Sequence, residues 1–317
     1  MRAIVLRAFG PPDHLQAVDL PEPVPGPGEV VIDVDAAGIT FVETQIRAGR
    51  PPHASMLPVL PVVLGNGVAG TIAAVGSDAD ASLLGRRVVT SLGGTGGYAE
   101  RAVASAEMVL GLPPAVEPRD AVALVADGRT ALLAVRRAQL APGEVVLVLA
   151  AGGGVGSLVV QLARAGGADV VAAAGSQRKL ELALSLGAGH AVDYSRDGWK
   201  TRLDPVDVVI DGVGGSVGRA AFERLRPGGR LLRLGMASGS FTRATDYEAA
   251  SRGVTVLASA PVPPEELRGM AAEALALAAS GELRPTIGQT YPLQQAGDAH
   301  AAIEARATLG KTLLVPR

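Results

Sequence analysis

The chain has no cysteine, which excludes disulfides, thiolate nucleophiles and cysteine-based zinc sites. Histidine is scarce as well. The four present, His14, His53, His190 and His300, are scattered without ligand spacing, so no metal site is expected. There is no basic tract, and a net charge of -2 over 317 residues gives no electrostatic case for nucleic acid or a lipid surface as partner. Long apolar runs are missing too, because Pro58 and Pro61 interrupt LPVLPVVL, so no bilayer span is expected. Arg7 breaks the opening MRAIVLRAFG before it can form the apolar core of a signal peptide, and the expectation is a soluble cytoplasmic protein. What remains is 48% hydrophobic and 19% charged, a globular composition in a chain long enough for two domains.

The stretch Glu144 to Lys179, EVVLVLAAGGGVGSLVVQLARAGGADVVAAAGSQRK, organises the rest. Val145 to Leu149 has the length of a strand buried on both faces. A glycine cluster follows, and then Val155, Leu158, Val159, Leu162 and Ala163 fall at i, i+3, i+4, i+7 and i+8, one face of a helix. Val170 to Ala174 is a second strand. Strand, glycine turn, helix and strand make a βαβ unit, which sets the helix N-terminus beside the carboxyl end of the first strand. Backbone N–H groups and the helix dipole there suit a pyrophosphate, provided no Cβ intervenes. Ala151, Gly153 and Gly156 form A-x-G-x-x-G, with alanine in place of the first glycine of the dinucleotide fingerprint. Gly154 and Val155 complete the turn. A glycine-rich turn without a ligand is the competing reading.

The end of the second strand selects the nucleotide. An NAD site carries Asp or Glu there for the ribose 2′-hydroxyl, whereas this chain has Gly175 and Ser176 followed by Gln177, Arg178 and Lys179. Two cations in the first turn of a helix oppose its dipole, and the 2′-phosphate of NADPH between them would relieve the mismatch. Solvated surface charges are the alternative reading.

Before this unit the pattern is β-rich. A strand is expected at Ile4 to Leu6, then a proline-rich turn, then alternating Val30 to Ala36 as a half-buried strand. ITFVETQIRAGR reads as a short helix ending at Gly49. Gly65 to Gly76, Arg86 to Thr90 and Tyr98 to Val103 read as further strands, with glycines where a barrel-like sheet must bend. After Pro118 the chain alternates: helix Asp120 to Arg137, then, past the βαβ unit, helix Leu180 to Leu186, strand His190 to Asp193, strand Val206 to Asp211, helix Val217 to Leu225 and strand Arg230 to Leu234. Strand Gly253 to Ala260, helix Glu265 to Ser280, helix Gln295 to Arg306 and strand Thr312 to Val315 close it.

In order, the chain carries GNGVAG, GGYAE, AAGGGVG, DGVGG, LGMASG and EARATLGKTLLVP. This succession resembles the medium-chain dehydrogenase/reductase superfamily, in its zinc-free quinone oxidoreductase branch that includes the zeta-crystallins. The resemblance implies an α/β fold with a GroES-like barrel domain over residues 1–118 and 285–317, a doubly wound Rossmann domain binding NADPH over 119–284, and an active site in the cleft between them. It further implies that Ser176 and Lys179, with Arg178, hold the 2′-phosphate. Tyr194 would lie near the adenosine, Val213, Gly235, Met236 and Ser238 would line the cofactor, and Arg306 would close over the phosphates. Thr130 matches a threonine beside the nicotinamide, and by their own chemistry Thr40 and Thr130 would be the catalytic hydroxyls, as donors to ring and acceptor.

The chain departs from the branch at several positions. Thr40 precedes Phe41 where asparagine is usual, Glu43 replaces aspartate, Gln45 replaces tyrosine, Gly67 removes the acid of G-x-E, and Met236 replaces asparagine. The function expected is hydride transfer from NADPH to a quinone or another conjugated carbonyl. The alternatives are an enone or enoyl thioester reductase, and an NADPH-binding protein with a structural or non-reductive, cyclase-like role. A small-molecule substrate is the expected partner, alongside a second copy of the chain paired through the strand predicted at Gly253 to Ala260. No group in the pocket-like segments is expected to titrate, so the rate should be nearly flat between about pH 6 and 8.

Overall fold

The computed structural model of the protein describes residues 1–257 and 260–316. They form two compact units: Met1–Gly128 joined by Ala271 to the C-terminus, and Arg129–Met270. Each has its own core.

The first unit is built around the strand Glu29–Ile39. Along one side it pairs antiparallel with Gly67–Val75, and along the other with Arg101–Ser105 and then Lys311–Val315. With neighbours on both sides and register shifts after Val31 and Val34, the strand is buried almost throughout. The alternation of the sequence suggests a solvated face, but Val31 is as buried as Val30. Further strands Arg87–Ser91, Leu110–Gly111 and Ile287–Pro292 extend this seven-stranded sheet, and Arg2–Leu6, Leu15–Asp19 and Val62–Val63 form a smaller one. Isolated bridges join Ala3 to Ala99 and Leu64 to Thr95. Leu15–Asp19, Val62–Val63, Leu110–Gly111 and Ile287–Pro292 lie outside the predicted strands, being short or largely exposed. The helix Phe41–Arg47 follows the central strand at once, capped by Thr40 and Glu43 in a reciprocal capping box.

In the second unit six parallel strands stand in the order His190–Asp193, Asp169–Ala174, Val145–Leu149, Val206–Asp211, Leu225–Arg233, Thr255–Leu257. The order reverses beside Val145–Leu149, which marks the topological switch point of a doubly wound sheet. Val145–Leu149 is nearly all apolar and buried, as a strand covered on both faces must be. The helix expected at Val217 to Leu225 runs instead over Gly215–Phe222, and Leu225 opens the next strand by pairing with Val206. The backbone pairing of Val206 overrides the apolar periodicity that suggested a longer helix. The margin strand spans Thr255–Leu257; Ala258 and Ser259 of its predicted range lie outside the described residues.

The helix expected at Asp120 to Arg137 is present as Pro118–Ala123 and Arg129–Ala138 joined by a π turn, Leu124–Gly128. Such a turn places one extra residue per hydrogen-bonded ring, and it is frequent at functional positions.

Candidate active site

The glycine turn is built from backbone. Ala150 takes φ 55°, a left-handed conformation rare outside glycine, so that the chain reverses from strand to helix within four residues. Gly153 caps the helix Gly154–Ala165, and its N–H donates to the Ala150 carbonyl at 2.9 Å. A Cβ on Gly156 would stand 2.2 Å from that same carbonyl oxygen, so only glycine fits. Ala151 is fully buried and its N–H donates to Ala173 at 3.1 Å, tying the turn to the second strand. Alanine in the first fingerprint position therefore meets no obstacle.

One turn residue escaped the fingerprint. A Cβ on Gly152 would lie 2.5 Å from the Cβ of Lys179 and 2.7 Å from its Cγ. The aliphatic stem of Lys179 thus lies against the glycine turn, fixing where its ammonium can reach. Ser176 is the N-cap of the helix Gln177–Ser185, yet its hydroxyl makes no capping bond, and Arg178 is exposed beside it. No carboxylate stands among Gly175–Lys179. The ring of Tyr194 abuts Gly175 and packs edge-on against Trp199 at 6.4 Å between centroids.

The remaining predicted positions of this unit follow the ends of the next two strands. Val213 lies just past Val206–Asp211, where buried Asp211 accepts the N–H groups of Val213 at 2.9 Å and Gly214 at 2.8 Å and the hydroxyl of Thr242 at 2.5 Å. Burial pushes the Asp211 carboxyl up, against those three donors. Gly235, Met236 and Ser238 follow Leu225–Arg233, with Gly235 donating to the Asp211 carbonyl at 3.0 Å and Ser238 to the Val213 carbonyl at 2.8 Å. Five successive strands therefore deliver the predicted cofactor residues to one edge, the carboxyl edge of the parallel sheet, where open α/β sheets bind ligands. Thr130 belongs to the same unit, half-buried in the first turn after the π turn.

Thr40 and Arg306 belong to the other unit. Arg306 is exposed with φ 58°, just past the helix Ala296–Glu304. Thr40 ends the central strand and is bound twice to Glu43: its N–H and its hydroxyl both donate to Oε2, the hydroxyl at 2.8 Å. The other oxygen of Glu43 accepts the Asn66 N–H at 2.8 Å, and Ser91 donates to the Asn66 side-chain oxygen at 2.9 Å. Glu43 is 1% exposed. Burial pushes its carboxyl above the usual range, opposed by the Thr40 and Asn66 donors and by the charge of Lys311. Lys311 is itself buried in an ion pair with Asp127 of the π turn at 2.9 Å. Tyr98, fully buried, has its hydroxyl beside Glu43 and 3.0 Å from His300 Nε2.

Sequence reasoning marked Glu43 only as a replacement and expected no titrating group. The structure places a buried, raised-pKa acid against the hydroxyl of the predicted catalytic threonine. The capping-box spacing of Thr40 and Glu43 was the available signal. Tyr98 and His300 had none, being 202 positions apart.

Among the described residues no group of three or more His, Cys, Asp or Glu could hold a metal ion, and no helix is long and apolar enough to cross a membrane. Residues 26–114 match the family model for the alcohol dehydrogenase GroES-like domain, and 186–314 match that for zinc-binding dehydrogenases. With no cysteine and no such cluster, the donors do not fit the zinc of the latter description. A quinone oxidoreductase of Pseudomonas aeruginosa is 34% identical, with 99% of each chain covered. The quinone oxidoreductase of Escherichia coli, solved in complex with NADPH, superposes with a TM-score of 0.90 at 31% identity over 100% of both chains. That of Thermus thermophilus, also solved with NADPH, gives 0.83 at 33% identity over 99% of this chain and 100% of the other.

Proposed function

From its membership of the zinc-free quinone oxidoreductase branch of the medium-chain dehydrogenase/reductase superfamily, we propose that the chain is an NADPH-dependent reductase that delivers hydride to a quinone or another conjugated carbonyl. The observation that carries the proposal is the second-strand end: no carboxylate at Gly175–Lys179, a Ser176 hydroxyl that makes no capping bond, and a Lys179 stem fixed against Gly152. Ser176, Arg178 and Lys179 hold the 2′-phosphate, and the turn Ala151–Gly156, with Gly153, Gly154 and Val155 at the helix N-terminus, takes the pyrophosphate. Tyr194 borders the adenosine, while Val213, Gly235, Met236 and Ser238 line the rest of the nucleotide. Arg306 adds a cation for the phosphates.

The nucleotide supplies the hydride. The residues of the chain bind it, orient it and meet the charge that develops on the acceptor. Thr130 orients the nicotinamide side through its hydroxyl. Thr40, in the unit without the nucleotide fold, meets the acceptor oxygen, and no metal is needed for an acceptor that delocalises charge. The enzyme is cytoplasmic, and it pairs with a second copy through the margin strand Thr255–Leu257, which among the described residues has a neighbour on one side only.

The test is NADPH oxidation followed with a set of quinones and enones, with dissociation constants for NADPH and NADH. Turnover with a quinone and a preference for NADPH of tenfold or more, on the order of 1.4 kcal/mol, are expected. Equal constants for the two nucleotides would remove the 2′-phosphate assignment. Light scattering should give twice the 32.0 kDa chain mass; a monomer at micromolar concentration would remove the pairing.

A further inference from the structure

A hydroxyl has one proton, and that of Thr40 points at Glu43 Oε2 from 2.8 Å. While the Glu43 carboxyl is ionised, Thr40 can only accept a hydrogen bond from elsewhere, and it offers no donor to an acceptor oxygen. Once the carboxyl carries a proton, its O–H can donate to Thr40 Oγ1, and the Thr40 hydroxyl turns outward as a donor. The two states of Glu43 therefore switch Thr40 between acceptor and donor. Thr40 is half-buried where Glu43 is closed off, so a proton leaving or reaching Glu43 has Thr40 as its route.

We infer that Thr40 and Glu43 deliver the proton that accompanies the hydride, with Tyr98 and His300 as positioning residues behind Glu43. The inference rests on the reductase reading above. In the step, the hydride adds to the quinone with two electrons, the nicotinamide is oxidised, and the quinone oxygen becomes an anion. That oxygen takes the Thr40 hydroxyl proton, Thr40 Oγ1 takes the carboxyl proton of Glu43, and Glu43 is left as carboxylate. Water reaching Thr40 after product release returns one proton by the same path.

The surroundings suit the role. Burial holds the carboxyl above its usual range, which keeps acid available nearer neutral pH. The groups that face Glu43 are the Thr40 and Asn66 donors, Tyr98, and Lys311, whose charge is offset by Asp127. Behind Tyr98, His300 is driven by burial and by the Arg47 charge down to about 3, so it stays neutral at working pH and places no cation against the carboxyl. Arg47 is in turn paired with Glu304 at 2.5 Å.

The experiment combines infrared spectroscopy of the carboxyl, which needs no turnover, with steady-state kinetics. In the parent protein a carboxylic-acid band should be present at mildly acidic pH, titrate above the normal glutamate range and vanish in Glu43→Gln. With a quinone, kcat should fall as pH rises through that titration. Glu43→Gln keeps an acceptor oxygen for the Thr40 donors, sets an amide NH2 where Oε1 accepts the Asn66 N–H, and carries no acid; it should lose about a hundredfold in kcat, flatten the pH profile and leave the NADPH dissociation constant unchanged. Glu43→Asp should restore part of the rate, and Tyr98→Phe should move the pH limb upward with KM unchanged. A Glu43 that ionises with an ordinary carboxyl pKa, or a Glu43→Gln enzyme with parental kcat and pH profile, would overturn the inference while leaving the reductase reading intact. A parent that binds NADPH and reduces no quinone or enone would overturn both.

Discussion

The carboxyl edge of the parallel sheet and the Thr40–Glu43 network are built by opposite means. The first is backbone: N–H groups at a helix start, a left-handed Ala150, and glycines where a Cβ would strike a carbonyl. The second centres on one side chain, the Glu43 carboxylate, which accepts from Thr40 and from the Asn66 N–H, with Tyr98, His300, Lys311 and Asp127 packed behind it from both ends of the chain. A backbone site tolerates most side chains but almost no change at its glycines. A buried side-chain site depends on each member having its partner.

The largest effect should therefore come from breaking a pair. Asp127→Leu leaves the Lys311 ammonium buried and alone, at a cost of about 3 to 5 kcal/mol in urea unfolding. Adding Lys311→Met should recover most of it, since two apolar groups replace two charges. A double variant no better than the single would mean that the pair does more than neutralise itself.

Next comes the backbone site. Gly156→Ala sets a Cβ 2.2 Å from the Ala150 carbonyl oxygen; the turn must shift, destabilising the unit by about 1 to 3 kcal/mol and weakening NADPH by up to ~100-fold. If calorimetry shows NADPH bound as before, the phosphates do not sit on this turn. Lys179→Met keeps the stem over Gly152 and removes the charge, so NADPH should weaken by about tenfold while NADH is unaffected. Equal losses for both nucleotides would make Lys179 a prop for the turn and nothing more.

The contrast also explains what was legible in the sequence. Backbone geometry leaves local marks: Val145–Leu149, the glycine turn and the helix after it were readable within one window because the constraint is local. The helix phase was less so, for the buried face includes Ser157 and Val160, while Val155 and Leu162 are only half-buried. Gly152 was overlooked because its constraint comes from Lys179, 27 positions away, a contact that exists only after the second strand and its helix have packed. Most of the Thr40–Glu43 network left no local mark. Tyr98 read as the start of a strand and His300 as one of four scattered histidines, and only a barrel that joins residues near 98 to residues near 300 brings them within 3.0 Å. The short strands Val62–Val63 and Leu110–Gly111 were missed for the same reason, their pairing partners being supplied by topology rather than pattern.

The smallest effect concerns His300. Its folded pKa near 3 lies below the 6.5 of an exposed histidine. The unfolded chain therefore binds the extra proton between those values, and stability falls as pH drops from 6.5 toward 3. Its slope is at most ~1.4 kcal/mol per pH unit. Unfolding at pH 6.5 and 5.5 should show this fall in the parent and lose it in His300→Gln. An unchanged slope in the variant would shift the acid sensitivity to the buried carboxylates.

The contact between Lys179 and Gly152 ties two positions into one heritable trait. A lineage that gains a side chain at 152 must reduce residue 179 to glycine or shift its backbone, because the nearest atom there is the Lys179 Cβ at 2.5 Å, and either change removes or moves the cation proposed for the 2′-phosphate. The reverse route is narrow: alanine or serine at 179 keeps the obstructing Cβ at 2.5 Å, and only glycine there removes it. Drift toward NADH should therefore begin with loss of the cation at 179 while 152 stays glycine, and homologues should show a side chain at 152 only where 179 is glycine or its helix has moved.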